Sequence, residues 1–181
     1  MRQVKVEEIH ALLKERTVVF EGRITQEEVE RIKRLLLELV SRDTHTPITL
    51  SIIDSSGGDA RPGLALHDFI SSLGTEVHGI VRHAANSTAA LVLQACVRRS
   101  AHQDASFTIH DNDVEIKGTV KTLRKHFYAA LNAAEKRQER IYEIFAERTR
   151  RSMEEIEHAC GGSMRMNAHE AMKFGLIDEV I

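Results

Sequence analysis

Ser87 occupies a position from which a serine hydroxyl can act as a nucleophile. It follows an apolar run at residues 77–81 that predicts a strand, and it precedes an apolar run at 88–96 that predicts a helix. At this junction the hydroxyl lies at the positive end of the helix dipole, and the Thr88 amide beside it can stabilise a developing negative charge. The alternative is a serine that only caps the helix, which is the more common use of serine at such a position.

His110 offers the base that a serine nucleophile requires. Residues 106–109 predict a further strand, which ends at His110. Imidazole changes its protonation state near neutral pH, and a histidine at a strand end can reach the strand-to-helix junction of a neighbouring strand. A purely structural histidine is the alternative.

Gly57 and Gly58 form a third candidate element, because they follow the β-branched run at 48–53 and precede a predicted helix. Glycines at such a turn allow close approach of the backbone and leave amide N–H groups available to an anion. The pair is therefore a candidate oxyanion hole. The same sequence of strand, glycine turn and helix is also found as an ordinary packing turn, so this alternative stays open.

The predicted elements alternate between strands and helices, which is typical of the α/β class. Thr25 opens a capping box at the first helix, and Asn167 caps the last helix, which Gly175 ends. With 181 residues and neither an internal repeat nor a linker, the sequence predicts a single domain over 1–181. We predict strands at 18–20, 48–53, 77–81, 106–109, 114–117 and 176–180, and helices at 26–41, 62–72, 88–96, 119–148 and from 168 onward.

The helix predicted at 119–148 is too long to be covered by the core of a small domain. Roughly 30 helical residues extend about 45 Å, so part of the helix has to pack on another subunit. We expect residues 114–148 to form a handle-like segment for oligomerisation. The apolar positions that repeat with helical spacing are Leu123, Phe127, Ala130, Leu131, Ala134, Ile141, Ile144 and Phe145.

Composition argues against several classes of function. The net charge of -2 and the lack of a long basic run argue against a nucleic-acid partner. No apolar stretch approaches the roughly 18 residues of a membrane span, and the N-terminal residues lack an apolar secretion signal, so we expect a cytoplasmic protein. Cys96 and Cys160 lack zinc-like spacing and are expected to be buried and reduced; neither a metal ion nor another cofactor is expected.

Taken in order, these motifs resemble the proteolytic subunit family of the Clp protease over nearly the whole chain. The spacing from the glycine pair to Ser87 matches the family without a gap, and His110 falls where the family has its catalytic histidine. The segment that closes the chain also follows the family pattern. The stretches that carry the resemblance are residues 9–25, 55–68, 85–89, 108–110 and 167–178.

The resemblance implies a fold of repeated β-β-α units, shared by Clp peptidases and crotonases, with a long projecting helix. It also implies a serine peptidase that cleaves short peptides or unfolded proteins inside a ring of identical subunits. In that mechanism Ser87 attacks the scissile carbonyl and His110 takes its proton. The amides of Gly58 and Thr88 then bind the oxyanion.

The resemblance places the family's third catalytic residue, an aspartate, at Ser163. A hydroxyl can accept a hydrogen bond from the histidine and fix its tautomer, but it cannot offset the imidazolium charge. Loss of the acid in related triads costs on the order of 10⁴ in kcat, roughly 5.5 kcal/mol. Asp111 and Glu170 are carboxylates that could substitute, but Asp111 directly follows His110, and adjacent residues of a strand point to opposite faces.

The sequence departs from the family pattern elsewhere too. Ser56 replaces a proline, and His83 and Asn86 replace small residues near the nucleophile. Only eight residues precede Ile9, where family members carry a longer arm that meets an ATP-driven unfoldase, so an ATPase partner stays open. Two alternatives stand beside an active peptidase: a catalytically silent subunit that builds or regulates an assembly, and a crotonase-type enzyme that binds acyl-CoA thioesters through the same glycine turn.

Overall fold

A mostly parallel sheet forms the centre of the fold in the computed structural model, which describes residues 15–114 and 117–181. Nine strands occur in this part of the chain. They are β1 (Thr17–Phe20), β2 (Arg23–Ile24), β3 (Ile48–Ser55), β4 (Gly57–Gly58), β5 (Val77–Asn86), β6 (Arg98–Ala101), β7 (Ser106–Ile109), β8 (Met164–Asn167) and β9 (Glu179–Val180). Seven of them form the central sheet, and β2 and β4 form a separate two-stranded sheet.

The central sheet has the order β1-β3-β5-β6-β9, and these pairs are all parallel. The long strand β5 changes partner along its length: residues 78–81 pair with β6, and residues 84–86 pair with β7. β7 also pairs with β8, in the antiparallel direction. The carboxyl ends of β5 and β7 therefore lie side by side, as the candidate site requires.

Six helices connect the strands in the described residues. They are α1 (Gln26–Arg42), α2 (Ala60–Ser72), α3 (Thr88–Leu93), α4 (Val120–Thr149), α5 (Met153–Gly161) and α6 (Ala168–Phe174). Thr25 is confirmed as a cap, since its Oγ1 accepts from the Glu28 amide at 3.2 Å, but the Glu28 carboxylate accepts from Arg31 and the described contacts include no bond that would complete the predicted capping box. Asn167 is confirmed as a cap and forms a reciprocal capping box with Glu170. Gly175 ends α6 in the left-handed conformation, at a φ of 98°. No helix of the described residues is long and apolar enough to cross a membrane.

The segments β1-β2-α1 and β3-β4-α2 repeat one β-β-α pattern, which confirms the predicted fold class. Their apolar residues fill one core between the sheet and the helices, and each fully buried large side chain contributes about 1.5–3 kcal/mol. The largest buried side chains include Phe20, Ile32, Leu36, Leu50, Ile52, Leu66, Leu91, Leu93 and Phe107.

Several predicted elements differ from the structure. Five elements have no counterpart in the prediction, because they are short and their polar or glycine residues hide the periodicity: β2, β4, β6, α5 and β8. The helix after Ser87 ends at Leu93 instead of Cys96, because the amides of residues 94–96 bond to carbonyls three residues earlier and form a tighter turn. The strand predicted at 114–117 is wrong for residues 114 and 117, because neither lies in a strand. Residues 115 and 116 lie outside the described residues.

Helix α4 confirms the prediction of a long helix that leaves the core. It runs for 30 residues. Its second half packs on the core through Ala134, Ile141, Ile144 and Phe145. None of residues 120–133 is buried, so the first half of the helix projects away from the core.

A buried cation fixes the C-terminal end of α4 against the sheet. Arg99 of β6 is only 6% exposed, and its guanidinium donates to Asp178 Oδ1 at 2.5 Å and to Asp178 Oδ2 at 3.2 Å. It also donates to the Arg148 carbonyl at 3.4 Å. Burial acts to raise the pKa of Asp178, but the hydrogen bonds from Arg99 outweigh it and lower that pKa, so the carboxylate stays ionised. This network keeps the core-facing half of α4 in place beside the candidate site.

Candidate active site

Ser87 lies in a strained turn between the end of β5 and the start of α3. Its backbone has φ 54° and ψ -122°, a conformation that side chains other than glycine rarely adopt. Its amide donates to the Thr108 carbonyl of β7 at 2.6 Å. Ser87 occupies the N-cap position of α3, but within the part of the chain that the structure describes its hydroxyl makes no capping hydrogen bond, so its side chain is not used as a helix cap.

The glycine pair lies directly against Ser87. Gly57 has a φ of 85°, and a Cβ added to it would come within 2.7 Å of the Asn86 carbonyl oxygen and 2.8 Å of Ser87 Cβ. The Gly58 carbonyl accepts a hydrogen bond from Thr88 Oγ1 at 3.0 Å, which ties the turn to the first residue of α3. The two groups named for the oxyanion hole, Gly58 and Thr88, are therefore neighbours in the structure.

Replacing Gly57 with alanine is expected to destabilise the fold by at least about 2 kcal/mol, because it combines a left-handed backbone with steric overlap. Thermal unfolding measures the effect. Gly74→Ala is the matched control, since no atom lies within 4 Å of a Cβ at that position and its φ is not positive. Equal unfolding temperatures for Gly57→Ala and the wild type would contradict the described turn.

His110 follows β7 and lies two residues beyond the carbonyl that holds Ser87. Its Nδ1 is 2.6 Å from the main-chain carbonyl oxygen of Asp111. A carbonyl only accepts hydrogen bonds, so this contact requires the proton of the neutral ring on Nδ1 and leaves Nε2 as the acceptor. That is the tautomer a general base for serine needs.

Ser87, His110 and Gly58 line one cleft of roughly 760 Å³. Ser87, Thr88 and His110 also border a small apolar depression beside it, with a free volume of about 10 Å³, enough for about one water molecule. Among the described contacts there is no hydrogen bond between the side chains of Ser87 and His110. The structure thus brings the candidate nucleophile, the candidate base and Gly58 of the candidate oxyanion hole to one cleft.

Ser163 directly precedes β8 and follows the end of α5. The last pair of the antiparallel β7–β8 ladder is Ile109 with Met164, so His110 and Ser163 are the residues that adjoin this last pair on the two strands. Ser163 is exposed, has a φ of 51°, and its amide donates to the Cys160 carbonyl at 2.9 Å. Its hydroxyl makes no hydrogen bond to His110 within the described residues.

The other nearby carboxylates have different partners. Glu170 Oε2 accepts from the Asn167 amide at 2.9 Å, which commits it to the cap of α6. Asp111 Oδ1 accepts from the Tyr142 hydroxyl at 2.5 Å. Burial, and next the hydrogen bond to Asp111, raise the pKa of Tyr142, so it remains a hydrogen-bond donor at ordinary pH.

Sequence reasoning missed two polar residues that approach the site from α4. Gln138 and Tyr142 both contact the segment that follows His110. Their spacing of four places them on one face of a helix, beside the apolar residues that face the core. That spacing is the one signal by which the sequence could have identified them.

Neither cysteine has a reactive environment. Cys96 and Cys160 are buried free thiols, as predicted, and burial raises the pKa of each to about 12. The described residues contain no group of His, Cys, Asp and Glu side chains that could hold a metal ion.

A serine in a strained strand-to-helix turn, with a histidine base and glycine amides beside it, is the arrangement of serine hydrolases. The sequence model of the Clp protease family matches residues 2–181. The chain therefore belongs to the Clp protease family, as the motifs predict.

Curated relatives agree with this assignment. The chain is 34% identical over 177 residues to ATP-dependent Clp protease proteolytic subunit 1 of Chlamydia muridarum, with 94% of this chain and 88% of the relative covered. It is 33% identical to the subunit 1 protein of Chlamydia trachomatis, with the same coverage. It is 29% identical over 170 residues to subunit 2 of Treponema denticola, with 93% and 82% covered. These similarities confirm the prediction of a Clp-type serine peptidase.

Proposed function

We propose that the chain hydrolyses peptide bonds of short peptides or unfolded proteins, with Ser87 as nucleophile and His110 as base. The observation that carries this proposal is the strained, uncapped Ser87 in the same cleft as His110 and Gly58. A cleft of roughly 760 Å³ suits an extended peptide segment. The small apolar depression beside Ser87 favours a small side chain next to the scissile bond.

In the proposed mechanism Ser87 Oγ attacks the scissile carbonyl carbon while His110 Nε2 takes the hydroxyl proton. The amides of Gly58 and Thr88 stabilise the tetrahedral oxyanion. His110 then gives its proton to the leaving amine, the C–N bond breaks, and an acyl ester remains on Ser87. Water, deprotonated by His110, hydrolyses this ester and returns the enzyme to its first state.

Ser163 limits the rate in this proposal. Without a carboxylate at position 163 to accept from His110, the imidazolium that forms during attack lacks its counter-charge, and kcat is lowered by up to about 10⁴. The same observation favours a second candidate function, a catalytically silent subunit of a Clp assembly. The missing contact between Ser87 and His110 in the described structure also favours that second function.

A peptide-cleavage assay tests the first function. Fluorogenic short peptides with alanine or a large side chain before the scissile bond are incubated with purified wild type, Ser87→Ala and Ser72→Ala. Ser72 is the matched control because it is exposed at the end of α2, where its hydroxyl bonds to the Phe69 carbonyl. Cleavage by wild type and Ser72→Ala, but not by Ser87→Ala, supports a peptidase, whereas equal background rates in all three support the silent subunit.

The assembly in this proposal is a ring of identical subunits, with α4 as the handle-like segment. The support is the projecting half of α4, where no residue is buried and large apolar side chains face outward. Val120 is 76% exposed and Tyr128 is 81% exposed. The relatives are named as subunits of an ATP-dependent protease, so an unfoldase ATPase is a further partner that this proposal includes. The predicted cytoplasmic location stays a prediction.

Changing both Phe127 and Tyr128 to glutamate is expected to lower the mass of the assembly at least about twofold, because charges then replace apolar contact area. Light scattering after size exclusion measures that mass. Lys136→Glu is the control on the same helix, at an exposed position outside the apolar pair. An unchanged mass in the double variant would contradict the role of α4, provided that thermal unfolding shows both variants folded.

A further inference from the structure

We propose that the main-chain carbonyl of Asp111 orients His110 in place of the missing aspartate, and that Tyr142 and Gln138 are the positioning residues that hold this carbonyl. The inference rests on the proposed role of His110 as the base. It assigns the Asp111 carbonyl as the group that contacts His110, and Tyr142 and Gln138 of α4 as the residues that hold this carbonyl in place.

The first observation is the hydrogen bond of the histidine ring. His110 Nδ1 lies 2.6 Å from the Asp111 carbonyl oxygen. In a Ser-His-Asp triad the carboxylate accepts the Nδ1 proton and so fixes both tautomer and ring orientation. A carbonyl at this distance performs the same orienting task, although it brings no negative charge.

The second observation is that the peptide unit carrying this carbonyl is held from its other side. The unit ends in the Asn112 amide, which donates to Gln138 Oε1 at 2.9 Å. In a trans peptide the N–H and C=O point in opposite directions, so the bond to Gln138 turns the carbonyl toward His110. Asn112 Nδ2 donates to the same Gln138 oxygen at 2.8 Å and strengthens the attachment.

The third observation concerns the Asp111 side chain. Its Oδ1 accepts from the Tyr142 hydroxyl at 2.5 Å and from Gln138 Nε2 at 3.5 Å. The Asp111 amide donates to the Cys160 carbonyl at 3.3 Å. The carboxylate is therefore committed to α4, and it is the backbone of Asp111, fixed on both sides, that meets the histidine.

A direct test reads the tautomer of His110 by ¹⁵N NMR of histidine-labelled, sedimented full-length protein at alkaline pH, with His110→Gln identifying the signal. Wild type is expected to carry the proton on Nδ1. Tyr142→Phe and Gln138→Ala are expected to give a mixture of tautomers. Asp111→Asn keeps both the carbonyl and an acceptor for Tyr142, so it is expected to match the wild type. A wild type protonated on Nε2, or an unchanged tautomer in both α4 variants, would overturn the proposal.

The second readout is the rate of covalent labelling by a fluorophosphonate. Ser72→Ala, at the end of α2 and outside the cleft, is expected to stay within about threefold of the wild type. Tyr142→Phe and Gln138→Ala are expected to fall about 10- to 100-fold because the base is misplaced. A loss near 10⁴-fold in Asp111→Asn would make its carboxylate the triad acid and overturn the proposal.

The two readouts separate this inference from the proposed function. If the wild type holds the Nδ1 proton and loses it in the α4 variants, yet never labels, the proposed peptidase function fails and the positioning role of Tyr142 and Gln138 stands. Tyr142→Phe removes one hydroxyl and is expected to lower the unfolding temperature by only about 2–4 °C, which thermal unfolding checks.

Discussion

Replacing Ser163 with aspartate is expected to raise the rate of peptide hydrolysis by between about 10-fold and about 10⁴-fold. The new carboxylate would take the position where the family resemblance places the triad aspartate, directly before Met164, whose strand partner Ile109 directly precedes His110. There it would offset the imidazolium charge that the Asp111 carbonyl cannot offset. The φ of 51° at Ser163 lies in the left-handed region, which Asp and Asn occupy more readily than most side chains. Initial rates of fluorogenic peptide cleavage at equal subunit concentration measure the gain.

Ser163→Asn is the matched control for this gain. Asparagine has nearly the size of aspartate and the same tolerance for a left-handed backbone, but it is neutral. It is expected to stay within about threefold of the wild type, because the acid acts through its charge. Equal rates for the Asp and Asn variants would show that a negative charge at position 163 does not stabilise the His110 imidazolium.

Removing His110 is expected to abolish the gain from Ser163→Asp. In the Ser163→Asp background, His110→Ala should lower the cleavage rate by about 10⁴-fold, since triad members act as a unit. In the His110→Ala background, Ser163→Asp should change the rate by less than about threefold. The two single variants and the double variant form a cycle that measures this coupling.

The control for the histidine change is His45→Ala. His45 precedes β3, at the end of the sheet opposite the cleft, and it is exposed. It is expected to leave the gain from Ser163→Asp intact. A gain that persists in His110→Ala would mean that the new carboxylate acts by some route other than the histidine.

The grouping of Ser87, His110 and Gly58 could be predicted from the sequence because each follows the end of a strand. Parallel strands carry their carboxyl ends to one edge of a sheet, so three strand-end motifs in succession converge there. β3, β5 and β7 fulfil this expectation. The long helix could also be predicted from the sequence, because its apolar residues repeat with helical spacing over many turns.

The arrangement around His110 could not be predicted, because it depends on tertiary contacts between polar groups. Strand geometry predicts that the Asp111 side chain lies on the face opposite His110, but β7 ends at Ile109, and the Asp111 side chain is bonded to Tyr142 beside the same cleft. The backbone carbonyl of Asp111 meets the ring instead, and side-chain patterns carry no information about it. The buried network around Arg99 was hidden for the same reason, since a lone arginine in a sequence does not reveal its partners.

The most direct test of the account is to identify which residue a fluorophosphonate labels. The reagent forms an O–P bond with a nucleophilic hydroxyl and releases fluoride, so intact mass and peptide mapping locate the adduct. We predict one adduct per subunit on Ser87, formed slowly in the wild type, faster in Ser163→Asp and not at all in Ser87→Ala. An adduct on another residue, or no adduct on Ser87 in both the wild type and Ser163→Asp, would contradict the assignment of Ser87 as the nucleophile.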